Sequence, residues 1–121
     1  METPKIFESE YQLALIVWDN EPMTTRALTD LCTKQLGWKR TTTYTQLKRL
    51  CERGILKTEN SIVTSLISRE EIQLSESRSF LNRTFGGSLS GMLQAFTGGH
   101  ALTKEEADAI RKMIDDYEVK S

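Results

Sequence analysis

Six basic side chains stand in one short stretch of the chain, in a pattern that suits binding to an anionic partner. Between Trp38 and Lys57 the sequence has six Lys or Arg residues and one acidic residue, a local charge of +5, whereas the whole chain carries −1. The six are Lys39, Arg40, Lys48, Arg49, Arg53 and Lys57. Positive charge concentrated on one segment of a nearly neutral protein is typical of surfaces that contact nucleic-acid phosphates. We therefore expect double-stranded DNA as the partner.

A run of hydroxyl side chains among these basic residues favours contact with particular base sequences. Thr41, Thr42 and Thr45 fall on one side of a helical wheel together with Arg49 and Glu52, opposite the apolar side chains. Threonine is a mediocre helix former, so consecutive threonines at 41–43 are not explained by solubility. At the start of a helix that enters a DNA groove, their hydroxyls can meet phosphates and their methyl groups can meet the methyl of thymine.

Roles differ among the other polar side chains of this helix. Lys39 and Arg40 stand at its N-terminus, where their charge adds to the positive end of the helix dipole and favours phosphate binding. Arg49 is predicted to hold a phosphate rather than to read a base. Tyr44 either leans into the groove or packs as a shoulder beside it, and the sequence leaves both roles open.

The basic residues further along the segment have less specific roles. Lys48 and Arg53 are either phosphate contacts or solvated charges. In the segment after the helix, Lys57 and the turn-prone pair Asn60-Ser61 form a short tip that is predicted to touch the DNA backbone or the minor groove.

Local signals place the basic segment on the third of three helices. A first helix is predicted over residues 8–19, with an apolar stripe formed by Tyr11, Ala14, Leu15 and Trp18. It ends before Pro22, since proline disfavours a helical residue before it. Thr24 is a predicted N-cap for a second helix that runs to Leu36, and Gly37 suits the position after its C-terminus. The third helix is predicted from Arg40 to Arg53 and is closed by Gly54.

The residues after Gly54 predict a small β-structure. The segment 55–67 is rich in β-branched residues and is interrupted by Asn60-Ser61, which indicates a two-stranded hairpin. Three helices followed by a hairpin form a winged helix-turn-helix. The fold class is therefore mainly α with a small β-hairpin: a winged-helix DNA-binding domain at 1–67 and a helical dimerisation segment at 68–121.

The C-terminal segment predicts three more helices with an unpartnered apolar side. Two capping-box patterns, starting at Ser68 and at Thr103, and the glycine pairs 86–87 and 98–99 mark the boundaries of these helices. The apolar residues that we assign to dimerisation are Phe80, Leu81, Phe85, Leu89, Met92, Leu93, Phe96, Ile110, Met113, Ile114 and Tyr117. Short helices of this kind usually pack against a second copy, so we expect a homodimer. The alternative is that they fold back on the winged domain.

Several other classes of function find no support in the sequence. The chain has one histidine, His100, and no P-loop, dinucleotide-binding or zinc-protease motif, so we expect no enzyme, no metal site and no cofactor. Cys32 and Cys51 stand apart and are interpreted as small buried side chains; a redox switch or a metal site is the alternative. There is no apolar N-terminal signal and no run of the roughly 18–20 apolar residues that would span a membrane. We therefore expect a cytoplasmic protein.

At three segments the chain resembles the penicillinase-repressor family (BlaI/MecI-type), which also includes copper-responsive CopY-type repressors. These segments are Glu10–Trp18, Trp38–Gly54 and Phe80–Gly87, the last being similar to the F-L-N-x-x-x-G-G pattern of the family. The resemblance covers nearly the full length. It implies a homodimeric transcriptional repressor that places one winged helix on each half of a palindromic operator. It also implies that Thr41, Thr42, Tyr44, Thr45 and Arg49 face the DNA.

The mechanisms that relieve repression in this family carry over less completely. In the β-lactam branch a membrane sensor-protease leads to cleavage of an Asn-Phe bond in the short helix after the Gly-Gly pair. The matching position here is Ala95-Phe96, so the phenylalanine is present and the asparagine is absent. In the copper branch a C-terminal cysteine cluster binds the metal, whereas no cysteine follows Cys51 here. Copper sensing through that motif is therefore excluded.

An interpretation from another class is a winged-helix adaptor that binds protein instead of DNA. In that case the basic helix would meet an acidic partner. The absence of a gel shift on the DNA upstream of the gene for this chain would favour it.

Overall fold

A computed structural model describes residues 3–99 and 101–117, which leaves His100 outside the described residues. These residues form six helices and three strands. In chain order they are α1 (Glu8–Asn20), β1 (Met23–Thr24), α2 (Thr25–Leu36), α3 (Arg40–Glu52), β2 (Leu56–Glu59), β3 (Ile62–Ser65), α4 (Arg69–Phe85), α5 (Leu89–Gly99) and α6 (Lys104–Asp116). The chain divides into two compact units between Arg78 and Ser79.

The turn between α2 and α3 has the form that its sequence predicts. Thr24 caps α2, since its hydroxyl accepts a hydrogen bond from the Ala27 N–H at 3.0 Å. Gly37 has a φ of +69°, a left-handed conformation that glycine adopts without steric cost. The Thr33 hydroxyl donates to the Trp38 carbonyl at 2.8 Å across the same turn. These local bonds hold α3 at a fixed angle to α2, and both predicted helices are confirmed.

The β-structure is larger than the predicted hairpin. Strands β2 and β3 pair antiparallel around a two-residue turn, in which Asn60 and Ser61 have φ values of +53° and +63°. Strand β1 also pairs with β3, so the sheet has three strands in the order β1-β3-β2. The prediction of two strands was incomplete because β1 is two residues long and is defined only by its pairing with β3.

The first helix is correctly predicted, but its buried side is not. The face that enters the core carries Leu13, Ala14, Ile16 and Val17, together with Glu10. Tyr11, Leu15 and Trp18 of the predicted stripe are only half-buried. Tyr11 and Trp18 pack against the margin of the core, where the Trp18 indole N–H donates to the Ile67 carbonyl at 3.0 Å.

One hydrophobic core holds the first unit together and supports the outer helix α3. Buried side chains come from α1, α2, α3 and the sheet. The first turn of α4 contributes Ile72. The fully buried apolar residues are Leu13, Ala14, Val17, Leu28, Cys32, Leu50, Ile55, Leu56, Val63 and Ile72. Three helices followed by a β-wing around this core confirm the winged helix-turn-helix fold class.

The second unit consists of short helices with exposed apolar side chains. The capping box at its last helix is complete: Thr103 and Glu106 each accept the other's backbone N–H, at 3.1 and 3.2 Å. No residue of α5 or α6 is buried. Helix α4 ends before Gly86 as predicted, whereas α5 continues through Gly98 to Gly99. No helix among the described residues is both long and apolar enough to cross a membrane.

Candidate nucleic-acid interface

Helix α3 presents one strip of polar side chains to solvent and packs its other side into the core. Thr43, Leu47 and Leu50 are buried. The exposed strip consists of Arg40, Thr41, Tyr44, Thr45, Lys48 and Arg49, with Lys39 at the N-cap position and one acidic residue, Glu52, exposed at the C-terminal end. Thr42, which the helical wheel places on the outward side, is half-buried at the edge of the strip. The outward position predicted for this side of the helix is otherwise confirmed.

The hydroxyl groups of the threonines are not equally available. The Thr45 hydroxyl donates to the Thr41 carbonyl at 2.9 Å, so its hydrogen is used within the helix while its methyl group stays exposed. Thr43 is 1% exposed, and its hydroxyl lies 3.5 Å from the Lys39 carbonyl. In the described structure the hydroxyls of Thr41 and Thr42 have no such partner. Thr41 and Thr42 are therefore the threonines free to donate to a ligand.

Contacts beneath α3 fix its orientation. The buried Cys32 of α2 faces the Thr43 hydroxyl, and burial raises the pKa of the Cys32 thiol while this hydrogen bond partly offsets the rise. On the other side, the Ser9 hydroxyl donates to the Gln46 side-chain oxygen at 3.4 Å, which joins α1 to α3. These contacts with α1 and α2 thus fix the position of α3 and of its exposed strip.

Arg53, predicted as a phosphate contact or a solvated charge, is used inside the first unit. Its guanidinium pairs with the carboxylate of Glu10, which is 1% exposed, while the Arg53 side chain is 30% exposed. The same carboxylate oxygen accepts the Phe7 N–H at 3.0 Å, and the Arg53 guanidinium lies 4.8 Å from the centre of the Phe7 ring. Because the Arg53 guanidinium already pairs with a buried carboxylate and lies against an aromatic ring, it is poorly placed to bind a DNA phosphate. We therefore omit Arg53 from the candidate surface.

The wing carries one basic side chain and a short polar tip. The Lys57 ammonium lies 2.9 Å from the Glu59 carboxylate, and by donating to it holds the pKa of Glu59 below its ordinary value. Ser61 is exposed at the tip, and its carbonyl accepts the N–H of Thr25 at 3.0 Å. Lys57 remains exposed, so this pairing leaves it accessible to a phosphate.

Sequence reasoning missed a basic residue on α2. Arg26, Thr29, Arg40 and Tyr44 line an open polar cleft of about 330 Å³ at the start of α3. Arg26 lies outside the basic segment Trp38–Lys57. The signal that could have found it is its place in the first turn of α2, because the two helices of a helix-turn-helix begin near the same surface.

The residues predicted for dimerisation lie in the second unit, and all of them are at least partly exposed. Leu89, Phe96, Met113, Ile114 and Tyr117 are all more than half exposed. Leu81, Phe85, Met92, Leu93 and Ile110 are half-buried. The Phe80 and Phe85 rings meet edge to face with their centres 5.8 Å apart. Ala95 and Phe96, at the predicted cleavage position, are both exposed on α5.

Comparison with known proteins now assigns the chain. The family model for the penicillinase repressor matches residues 6–116. The chain belongs to the penicillinase repressor family. It is 25% identical to the penicillinase repressor of Bacillus licheniformis over 118 residues, which are 94% of this chain and 92% of that protein. It is 22% identical to the methicillin resistance regulatory protein MecI of Staphylococcus aureus (strain N315), over 94% of this chain and 96% of MecI.

Two solved structures resemble the winged-helix part of the chain. The solution structure of the DNA-binding domain of the repressor BlaI matches with a TM-score of 0.50 and 24% identity, over 59% of this chain and 93% of that one. Monomeric BlaI of Bacillus licheniformis in complex with the blaP half-operator matches with a TM-score of 0.51 and 23% identity, over 58% of this chain and 90% of that one. At these identities the likeness bears on the fold, and it agrees with the resemblance seen in the sequence.

Proposed function

We propose that this chain is a sequence-specific DNA-binding transcriptional repressor, of the β-lactam-resistance regulator type, that acts as a homodimer on a palindromic operator. Helix α3 enters the major groove, and the wing lies against the neighbouring backbone or minor groove. Such a repressor works in the cytoplasm by competing with RNA polymerase for promoter DNA. It is a binding protein rather than an enzyme, and it needs no cofactor.

One observation carries the proposal: the exposed strip of α3 combines basic and hydroxyl side chains on a helix whose opposite side is fixed in the core. Basic residues at both ends of the strip can neutralise phosphates, which supplies affinity that falls with salt. Between them, Thr41, Thr42 and Thr45 project where a major-groove helix meets base edges. The proposed DNA contacts are Lys39, Arg40, Thr41, Thr42, Tyr44, Thr45, Lys48, Arg49, Lys57 and Ser61.

The homodimer rests on the exposed apolar side chains of the second unit. Met113, Ile114 and Leu89 are 54–58% exposed, so a partner that buried them would gain about half of the roughly 1.5–3 kcal/mol that full burial of such a side chain supplies. Two copies related by a twofold axis would present two α3 helices to the two halves of a palindrome. We also propose a sensor-protease as a second partner, with cleavage at the exposed Ala95-Phe96 position.

Binding to DNA is tested by fluorescence anisotropy with a duplex from the region upstream of the gene and with a scrambled duplex of the same composition. We expect Arg49→Ala to weaken binding to both duplexes and to lower the slope of log K against log salt by about 0.9, because one phosphate contact is lost. Thr42→Ala should instead change the preference between operator variants. Thr84→Ala, an exposed threonine on α4, is the control and should change neither quantity.

Two outcomes would contradict the proposal. A chain that binds neither duplex at low salt would favour the protein-binding adaptor. Equal losses on the specific and scrambled duplexes for Thr42→Ala would remove its role in sequence reading.

The dimer has a separate test: a chain truncated after Gly87 should sediment as a monomer and bind the operator poorly. A truncated chain that stays dimeric and binds tightly would refute the assignment of residues 68–121.

A further inference from the structure

The polar cleft between α2 and α3 has the composition of an anion site. Two of its four lining residues are arginines: Arg26 in the first turn of α2 and Arg40 at the first position of α3. Both are exposed, and no carboxylate lines the cleft. Asp30 stands one turn after Arg26 on α2 but lines no part of the cleft. Two guanidinium groups beside one small opening create a local excess of positive charge.

Among the described residues, no acidic side chain neutralises this positive charge. Of the arginines that the structure describes, Arg53, Arg69 and Arg111 form ion pairs within 4.0 Å, whereas Arg26 and Arg40 do not. The start of α3 adds to the field, because Lys39 caps the helix without a side-chain hydrogen bond and leaves backbone N–H groups unpaired there. A tetrahedral anion in the cleft would therefore gain two charge-assisted contacts at once.

The other two lining residues define what can bind. Thr29 is 3% exposed, and its hydroxyl donates to the Arg26 carbonyl at 2.8 Å, so it forms the floor of the cleft and offers no further hydrogen. Tyr44 is 44% exposed, and its hydroxyl has no hydrogen-bond partner among the described residues. Tyr44 can therefore donate a third hydrogen bond from the outer wall of the cleft.

We infer that this cleft binds one phosphodiester group of the DNA backbone, held by the guanidinium groups of Arg26 and Arg40 and by the hydroxyl of Tyr44. This inference rests on the proposed function and extends it to α2, which sequence reasoning left out. It also assigns Tyr44 to the backbone rather than to a base edge. The phosphate contact fixes the depth of α3 in the groove and so brings Thr41 and Thr42 to the bases.

The test replaces Arg26 and compares it with another cation on the same helix. Arg26→Gln should weaken binding about ten-fold on both the operator and the scrambled duplex and lower the salt slope, by less than about 0.9 because Arg40 still faces the phosphate. Arg26→Lys should keep the slope, because the charge stays. Lys34→Gln removes the same charge from the exposed last turn of α2, away from the cleft, and should change affinity less than two-fold. Equal effects of Arg26→Gln and Lys34→Gln would overturn the inference.

A second measurement locates the phosphate. Single phosphates of the operator half-site are replaced in turn by neutral methylphosphonate. At one position the wild-type chain should lose clearly more affinity than Arg26→Gln does, because only the Arg40 and Tyr44 contacts remain to be lost in the variant. Independent, additive losses at every position would overturn the inference. Binding of free phosphate alone would also overturn the inference. In that case inorganic phosphate, added at constant ionic strength, would shift the Tyr44 ring resonances. Arg26→Gln would at the same time keep the wild-type slope of log K against log salt.

The failure of this inference can be told apart from failure of the proposed function. If the wild-type chain binds no duplex, the proposed function fails, and with it the phosphodiester as ligand. If the wild-type chain binds DNA and Arg26→Gln binds equally well with the same slope, only the cleft assignment fails. Thermal unfolding of each variant, expected within about 2 °C of wild type for an exposed side chain, excludes a folding defect as the cause.

Discussion

Replacing Arg53 with methionine should destabilise the first unit by about 3 kcal/mol without removing a DNA contact. The substitution keeps an unbranched apolar stem but leaves the buried carboxylate of Glu10 without its counter-charge. Its remaining hydrogen bond is the Phe7 N–H, and its second oxygen, Oε2, has no partner among the described residues. Breaking a buried pair costs about 3–5 kcal/mol. The lower end applies because Arg53 is 30% exposed.

A double variant isolates the cause. Glu10→Gln alone should cost about 1 kcal/mol, since the amide oxygen still accepts from Phe7 and Arg53 while the charge is lost. In the Arg53→Met background the same change should stabilise by about 1–2 kcal/mol, because it removes a buried, unpaired charge. The sign of the Glu10→Gln effect therefore reverses between the two backgrounds. A purely steric role for Arg53 would give the same sign in both.

Urea unfolding followed by tryptophan fluorescence measures these differences, since both tryptophans, Trp18 and Trp38, lie in the first unit. With a slope of about 1.5 kcal/mol/M, a loss of 3 kcal/mol lowers the midpoint by about 2 M. The salt slope for DNA binding by Arg53→Met should equal that of wild type. An unchanged urea midpoint together with a slope lowered by about 0.9 would refute the reasoning and restore Arg53 as a phosphate contact.

Three further predictions concern the wing, the cysteines and the second unit. Ser61→Gly should raise stability by about 0.5 kcal/mol, because Ser61 has a φ of +63° in a two-residue turn; a lower melting temperature would contradict this. A thiol reagent should modify Cys51 in the folded chain and reach buried Cys32, whose pKa is raised, only after unfolding; equal rates in mass spectrometry would contradict this. Ile114→Glu should shift sedimentation toward the monomer, since Ile114 is 58% exposed; an unchanged dimer would remove it from the interface.

Local chemistry decided the elements that the sequence predicts well. Helix α2 begins and ends as expected because Thr24 can cap an N-terminus and Gly37 can take a positive φ, and both properties depend only on neighbouring residues. The alternation of polar and apolar residues along α3 likewise fixed which side faces outward, since a helix repeats every 3.6 residues wherever it is placed. The charge excess of this segment also required no knowledge of the fold.

The tertiary structure decided which partner each of several similar side chains would meet. Helix α1 has two neighbouring apolar stripes, and only its packing determined that Leu13 and Val17, rather than Leu15 and Trp18, enter the core. Strand β1 exists because β3 pairs with it, and a segment of two residues is too short to contain a pattern that predicts this pairing.

The sequence by itself determined that one basic, threonine-rich helix would face outward, because helical periodicity and charge are local properties. It could not determine how each positive charge on or near that helix would be used. Arg53 and Arg26 look alike in the sequence, yet the fold pairs Arg53 with the buried Glu10 and gives Arg26, which lies beside Arg40, no ion pair with any residue that the structure describes. The physical reason is that the free energy of a charge depends on its surroundings, and residues distant in sequence supply those surroundings.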